Sequence, residues 1–410
     1  MTHHQEFSGR LHALDNLRAV MMWLGIVLHV GIIYTYHPLP LPLPWHDQKT
    51  SLLADWLVAL IHSFRMPVFF ILAGFFVVLL VHGRGVGGML ANRLKRLGLP
   101  FVLLWPVIFV AMVWTVMLFV YRVTHGTWVL DPSQLDPSLL TPRANRHPLD
   151  DTMHLWFLWM LMWFSVLVAV LTPLARAVPQ RLRGLLSRCF DQLAGSAWGF
   201  LALTIPLALI GATYKDGIVP ASGYFLAPIT EWLHNGIFFV FGLALYAHRK
   251  RLFAIYQQRW KHNAVAGLVV LTVMLTMTDL QRQHLLTVPH AAFWHAFLFN
   301  ASTWLLSFAW IGAFLRYVGR PHPVLDYLAQ SSYWVYIIHM PVTVGLGACL
   351  YSLDWPALVK MPLNIAGTTV FSLLTYHLLV RSTALGELLN GRRYPFRLLR
   401  LHAPVSRQTA

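Results

Sequence analysis

Ten stretches of this chain are apolar over lengths that matter to a bilayer, and polar residues fall mainly between them. They run from Leu17 to Tyr34, Leu52 to Val81, Leu99 to Tyr121, His154 to Leu174 and Trp198 to Ile210. The pattern resumes from Pro228 to Tyr246, Ala264 to Met277, Phe293 to Leu315, Tyr333 to Tyr351 and Leu363 to Val380. A helix needs about 20 apolar residues to cross about 30 Å of hydrocarbon, and a backbone without water must close its own hydrogen bonds. The runs are continuous rather than alternating, which argues against a β-barrel. The pattern predicts an all-α polytopic membrane protein, a bundle of about ten transmembrane helices. The fifth and seventh stretches are short, so their boundaries are the softest.

Composition agrees. The 410 residues are 57% hydrophobic and 11% charged, against roughly 25% charged in a soluble domain. A net charge of +16 would suggest nucleic acid in a soluble protein, but here the placement of the charges points to topology. With the N-terminus inside, the cytoplasmic segments hold 23 Lys and Arg and the outer loops 7, with Arg65 left in the membrane to complete the 31. The bias holds at successive loop pairs. It predicts a multi-pass protein of the bacterial inner (cytoplasmic) membrane with both termini cytoplasmic, embedded in the lipid bilayer and with no nucleic-acid partner. Cys189 and Cys349 fall at opposite ends of this topology, so no disulfide is expected between them.

The connections carry their own signals. Pro38, Pro40, Pro42 and Pro44 alternate with other residues and predict a stiff extended outer loop. The first span runs into Tyr36-His37-Pro38 without a small-residue cleavage site, so it is expected to be a retained helix rather than a signal peptide. The longest outer loop, Thr124 to Thr152, holds Asp131, Asp136, Asp150, Asp151, Arg143 and Arg146; loops of that length are usually functional or disordered. Gly83 to Gly88 is glycine-rich but lacks the Lys-Ser/Thr of a P-loop, and reads as a flexible connection.

Ionisable groups in mid-membrane cost about 2.5 kcal/mol or more, so each needs a reason. Arg18 and His29 lie eleven residues apart on the first span, which is three turns plus about 20° and about 16 Å of rise. Both therefore project from nearly one face. An arginine at the inner rim can hold phosphate or carboxylate, and a histidine can take a proton near pH 7. Arg65 precedes Pro67, which should bend the helix and free the carbonyl of Ser63. A buried arginine beside such a break calls for a polar cavity or an anion. His339 is expected at about the depth of His29, with Tyr336 one turn below to orient it. His154 is expected to open the fourth helix at the outer surface, two residues before Trp156, itself placed as an interfacial anchor. Glu231 and His234 are i,i+3 neighbours that pair or face an acceptor, mainly for structural reasons. The 21 histidines form no zinc-binding helix motif, so no metal and no cofactor are expected.

These residues fall into blocks that resemble the membrane-bound acyltransferase 3 family. The blocks are Asp15-Asn16-Leu17-Arg18 leading to His29; Phe64-Arg65-Met66-Pro67-Val68-Phe69-Phe70 followed by Gly74-Phe75; and Arg93-Leu94-Lys95-Arg96-Leu97-Gly98-Leu99-Pro100. His154-Leu155-Trp156-Phe157-Leu158 and Ser332-Tyr333-Trp334-Val335-Tyr336-Ile337-Ile338-His339 complete the set, in the family's order. Ala73 departs from the serine common before Gly-Phe, so either that hydroxyl is not essential here or this protein works differently. The wording of Ile61 to Phe70, the length and the lack of an appended hydrolase-like domain are most similar to a branch that succinylates periplasmic glucans. The resemblance implies a transmembrane acyltransferase domain over residues 1–385 and a basic cytoplasmic tail over 386–410. It implies an acyl-CoA-dependent O-acyltransferase, with acyl-CoA as donor substrate and a periplasmic glucan as acceptor. His29 would then be the general base and Arg65 would place the acyl group or its oxyanion. Arg18, Arg93 and Arg96 would hold the nucleotide end of CoA, with His154, Trp156, Tyr336 and His339 as further substrate-binding residues. Three rival readings remain: O-acetylation of another surface glycan, a glycan transporter or flippase without acyl chemistry, and a structural membrane subunit.

Overall fold

A computed structural model describes residues 3–37, 45–128 and 148–395. The proline-alternating loop, Asp131, Asp136, Arg143, Arg146 and the tail from residue 396 onward lie outside the described residues. The helices are α1 (His3–Ile33), α2 (Leu52–Arg93), α3 (Leu99–His125), α4 (Trp156–Ala177), α5 (Gln180–Gly195) and α6 (Gly199–Gly211). They continue with α7 (Ile229–Arg282), α8 (Ala291–Tyr317), α9 (Pro323–Tyr351), α10 (Ala357–Thr375) and the short α11 (Ala384–Asn390). Among the described residues the extended pairing is limited to two isolated bridges.

Seven helical stretches are long and apolar enough to cross a membrane, and two of them reverse direction. Along α1, Gly31 meets Val58, Gly25 meets Arg65 and Arg18 lies over Phe76, so α2 is antiparallel to α1. His29 meets His339 and Gly347 meets Ile33, so α9 runs parallel to α1. Tyr333 bonds the Arg96 carbonyl and Ser352 accepts from Arg122, so α3 also runs parallel to α9. The helical stretch from Leu52 to His125 therefore doubles back. The reversal follows Gly85, whose φ of 70° suits a residue without Cβ, and a π-helical stretch at Leu94–Gly98.

The 54 residues of α7 would span about 81 Å if straight. Yet His234 bonds Asn300 while Thr278 contacts His295, five residues away on α8. Phe308 packs against both Phe241 and Tyr256. The two legs of α7 thus flank α8, one parallel to it and one antiparallel. At 13 residues α6 is short; it packs on α8 and meets α5 at 103°. Exposed Leu182, Leu185 and Leu186 share α5 with Arg181, Arg183 and Arg188, a composition suited to lying in an interface. Each of the ten apolar stretches thus has its helical leg. The domain boundary placed at 385 falls inside α11, which is docked on the bundle through Arg96.

Close packing depends on small residues, since lipid offers no hydrophobic drive for helix association. A Cβ on Gly74 would strike the Phe239 carbonyl, and one on Gly242 the Ile71 carbonyl, so α2 and the first leg of α7 touch backbone to backbone. The carbonyl freed by Pro67 is satisfied from α8: Thr303 donates its hydroxyl to Ser63 O at 2.7 Å.

Lys360, which the charge count places in an outer loop, is 0% exposed, and its Nζ donates to both Asp47 oxygens at 3.1 and 2.9 Å. The pair joins the segment after α1 to α10, and with the Tyr351 carbonyl at 3.3 Å it makes a buried lysine tolerable. Removing one partner of a buried pair strands the other charge. Lys360→Met is expected to cost about 3–5 kcal/mol, read as a lowered unfolding midpoint in detergent. Combining it with Asp47→Asn should recover most of the loss.

Candidate functional site

α1 carries the site as a column. Gly25 is seven residues after Arg18 and His29 four after Gly25, so all three project within about 40° of one another. The guanidinium of Arg65 lies in the gap that Gly25 leaves: a Cβ there would sit 2.5 Å from its Nη2. Arg65 Nε donates to the Met21 carbonyl at 2.9 Å, and its plane stacks near Phe69. The residue is 3% exposed. Among the described residues its side-chain hydrogen bond runs from Nε, not from the terminal nitrogens. Arg65 and His29 therefore stand one helical turn apart, about 6 Å along α1.

His29 is half-buried and makes no hydrogen bond among the described residues, so its ring nitrogens are available. Its ring centroid is 5.1 Å from that of His339, which in turn is 5.2 Å from that of His154. The expected depth of His339 is borne out. Tyr336 orients it through the main chain: His339 Nδ1 donates to Tyr336 O at 2.8 Å, which leaves Nε2 as the bare acceptor, buried and unpartnered. The Tyr336 hydroxyl instead donates to the His154 carbonyl at 2.5 Å.

The position of His154 corrects the sequence expectation. It does not open the fourth helix at the surface; it is 9% exposed and its Nε2 donates to Ile337 O at 2.9 Å, inside the bundle. The preceding segment dips with it. Trp105 Nε1 donates to Asp151 O, Thr152 bonds Gly223 O through both its N–H and its hydroxyl, and Phe225 N bonds Asp150 O. Hydropathy cannot register a re-entrant turn whose backbone is satisfied by another loop. Trp156, the expected interfacial anchor, is half-buried against Phe70 and lines a pocket bounded by α2, α7 and α8.

At the end of the bundle where α1 begins, the three arginines part company. Arg18 is exposed and pairs with Asp15 at 3.4 Å. Arg93 is half-buried, and its Nε and Nη2 are buried without an acceptor among the described residues. Arg96 is committed to the fold, donating from Nη1 to the carbonyls of Glu387 and Leu388 at 2.9 and 3.0 Å. Arg96 is therefore a capping residue of α11 through Nη1.

Several polar residues escaped the sequence reading. His62, Asn235, Asn300 and Thr303 line the pocket beside Trp156. Glu231 and His234 line it too, each with its own partner: Glu231 accepts from Ser222 N at 3.0 Å and His234 bonds Asn300 at 3.2 Å. Asn300, with Ser302 and Thr303 close by in a predominantly apolar span, was the available signal.

The acyltransferase domain model matches residues 11–377. Proteins named "Glucans biosynthesis protein C" are similar: that of Escherichia coli O6:K15:H31 is 24% identical over 358 residues, and those of E. coli K12 and Shigella dysenteriae serotype 1 are 25% identical over 359. Each alignment covers 83% of this chain and 83% of the relative. No solved structure matches. A family match over most of the chain, on a multi-pass helical bundle whose Arg18, His29 and Arg65 share one column, shows that this protein belongs to the acyltransferase 3 family of membrane acyltransferases.

Proposed function

We propose that this membrane acyltransferase moves a succinyl group from cytoplasmic acyl-CoA to a hydroxyl of a periplasmic glucan, across the inner membrane. The observation that carries this reading is the hydrogen-bond-free imidazole of His29, one turn from the buried guanidinium of Arg65. In this topology the end of the bundle where α1 begins faces the cytoplasm, as the excess of Lys and Arg there supports. Both termini lie on that side.

The phosphates of CoA meet Arg18 and the unpaired nitrogens of Arg93, and the thioester reaches inward along the α1 column. His29 removes the proton of the sugar hydroxyl as its oxygen attacks the thioester carbonyl. The oxyanion that forms is neutralised by Arg65, whose buried guanidinium also suits the free carboxylate of a succinyl donor. Collapse of the intermediate breaks the C–S bond, and the imidazolium returns its proton to the departing thiolate. The products are a sugar ester and free CoA. His339 and His154, each held by a backbone carbonyl, keep their bare nitrogens turned to this region as fixed acceptors.

His29→Ala should lower acyl transfer by about 10²–10⁴-fold while leaving membrane insertion and unfolding behaviour unchanged, measured as free thiol released from succinyl-CoA in the presence of glucan. A transporter without chemistry would release no thiol even from the unaltered protein. Gly25→Ala places a methyl group against Arg65 Nη2 and should reduce turnover by about 10²-fold without touching substrate itself. Because the guanidinium can swing away from a new methyl group, the deciding variant is Arg65→Gln, and turnover unchanged there would remove Arg65 from the mechanism.

A further inference from the structure

The pocket beside α2 takes no part in the column on α1, and its chemistry differs. We propose that it is the acceptor subsite and that it admits a neutral saccharide; the inference rests on the acyl-transfer reading and adds where the sugar binds and what charge it carries. The walls come from three helices: His62 and Met66 of α2, Glu231 and Asn235 of α7, Asn300 and Thr303 of α8. The backbone of residues 217–221 roofs it, and the half-buried Trp156 closes one side.

Three features favour a sugar ring. First, the lining offers carboxylate, amide, hydroxyl and imidazole groups around an aromatic face, which matches a ring with hydroxyls at its rim and C–H bonds on its flat side. Second, the polar groups are set before any ligand arrives: His234 bonds Asn300, Asn300 Nδ2 donates to Ala296 O at 2.8 Å, and Glu231 holds the Ser222 N–H. The roof is equally fixed, because Gly217 packs against the backbone of α8 at Ala292 with φ of 71°. The cavity itself is about 40 Å³, so it takes the hydroxyl-bearing rim of one sugar unit, and seating a whole ring requires the lining side chains to part. Third, His62 makes no hydrogen bond among the described residues and is half-buried, facing the space.

Charge selects among sugars. The lining holds one carboxylate and neither Lys nor Arg, so a phosphate, a uronic acid or the carboxylate of the donor would be opposed by Glu231. Position links the pocket to the reaction. His62 lies three residues before Arg65, about 60° around α2, and Trp156 two residues after His154. The chain neighbours of two site residues therefore form the pocket. It opens beside the start of α7 and the segment 217–221, at the end of the bundle opposite Arg18 and Arg93. Donor and acceptor would then approach the α1 column from opposite ends.

The test is isothermal titration of a neutral β-linked glucose tetrasaccharide into the full-length protein in lipid nanodiscs. Asn235→Ala and His62→Ala are each expected to weaken binding at least tenfold. Trp156→Ala should do the same while Trp156→Phe retains binding, a pair that stays informative if one of the other variants fails to fold. His29→Ala should bind the tetrasaccharide as the unaltered protein does, although it no longer transfers. Unchanged affinity in the pocket variants would overturn the proposal. So would an absence of binding by the unaltered protein, or equal affinity for a tetrasaccharide of glucuronic acid. Binding that behaves as expected in a protein that never releases CoA would overturn the transfer reading alone and leave the sugar site standing.

Discussion

A guanidinium inside an apolar bundle is the constraint around which this structure is arranged. Arg65 is 3% exposed, so most of its charge must be met by oriented dipoles and by whatever anion enters the site. One acceptor comes from the Met21 carbonyl on the neighbouring helix. That approach requires a missing side chain, and Gly25 supplies it. The same contact fixes the spacing of α1 and α2, and with it the distance between Arg65 and His29. A side chain in the place of Gly25's hydrogen would separate charge from base, so packing and chemistry share one contact.

Much of the remaining polar interior is bonded within the protein. Asp47 and Lys360 satisfy each other, and Thr303 takes up the carbonyl that Pro67 releases. Arg96 spends its donors on α11. Among the described residues, the buried groups left without a partner include Nε and Nη2 of Arg93 at one end and the bare nitrogens of His339 and His154, while Tyr34, Trp304, Ser307 and Ser372 each leave a polar atom unpartnered elsewhere in the bundle. The two histidine nitrogens lie beside His29 on the α1 column.

Much of this was legible in the sequence, because the signals were local. Continuous apolar runs carry the helical legs, and the eleven-residue spacing of Arg18 and His29 carries the shared face. Pro67 announces the freed carbonyl of Ser63. What escaped depends on contacts between distant segments. The dip that brings His154 inward rests on the 150–152 segment pairing with 223–225, and Lys360 is polar in sequence yet buried because Asp47 lies opposite. Arg93 and Arg96, three residues apart in one basic block, differ only in what α11 covers. No local pattern separates them.

The central claim is that position 29 lies on a passage open to reagents from both ends of the bundle. It is tested most directly by thiol labelling of H29C, in a background where Cys189 and Cys349 are replaced by serine. Oriented vesicles would be exposed to a small membrane-impermeant methanethiosulfonate from either face. The account predicts modification from each side, with acyl-CoA blocking the reaction from the side of Arg18 and Arg93. A thiol that resists both reagents, or reacts only with a lipid-soluble maleimide, would contradict it.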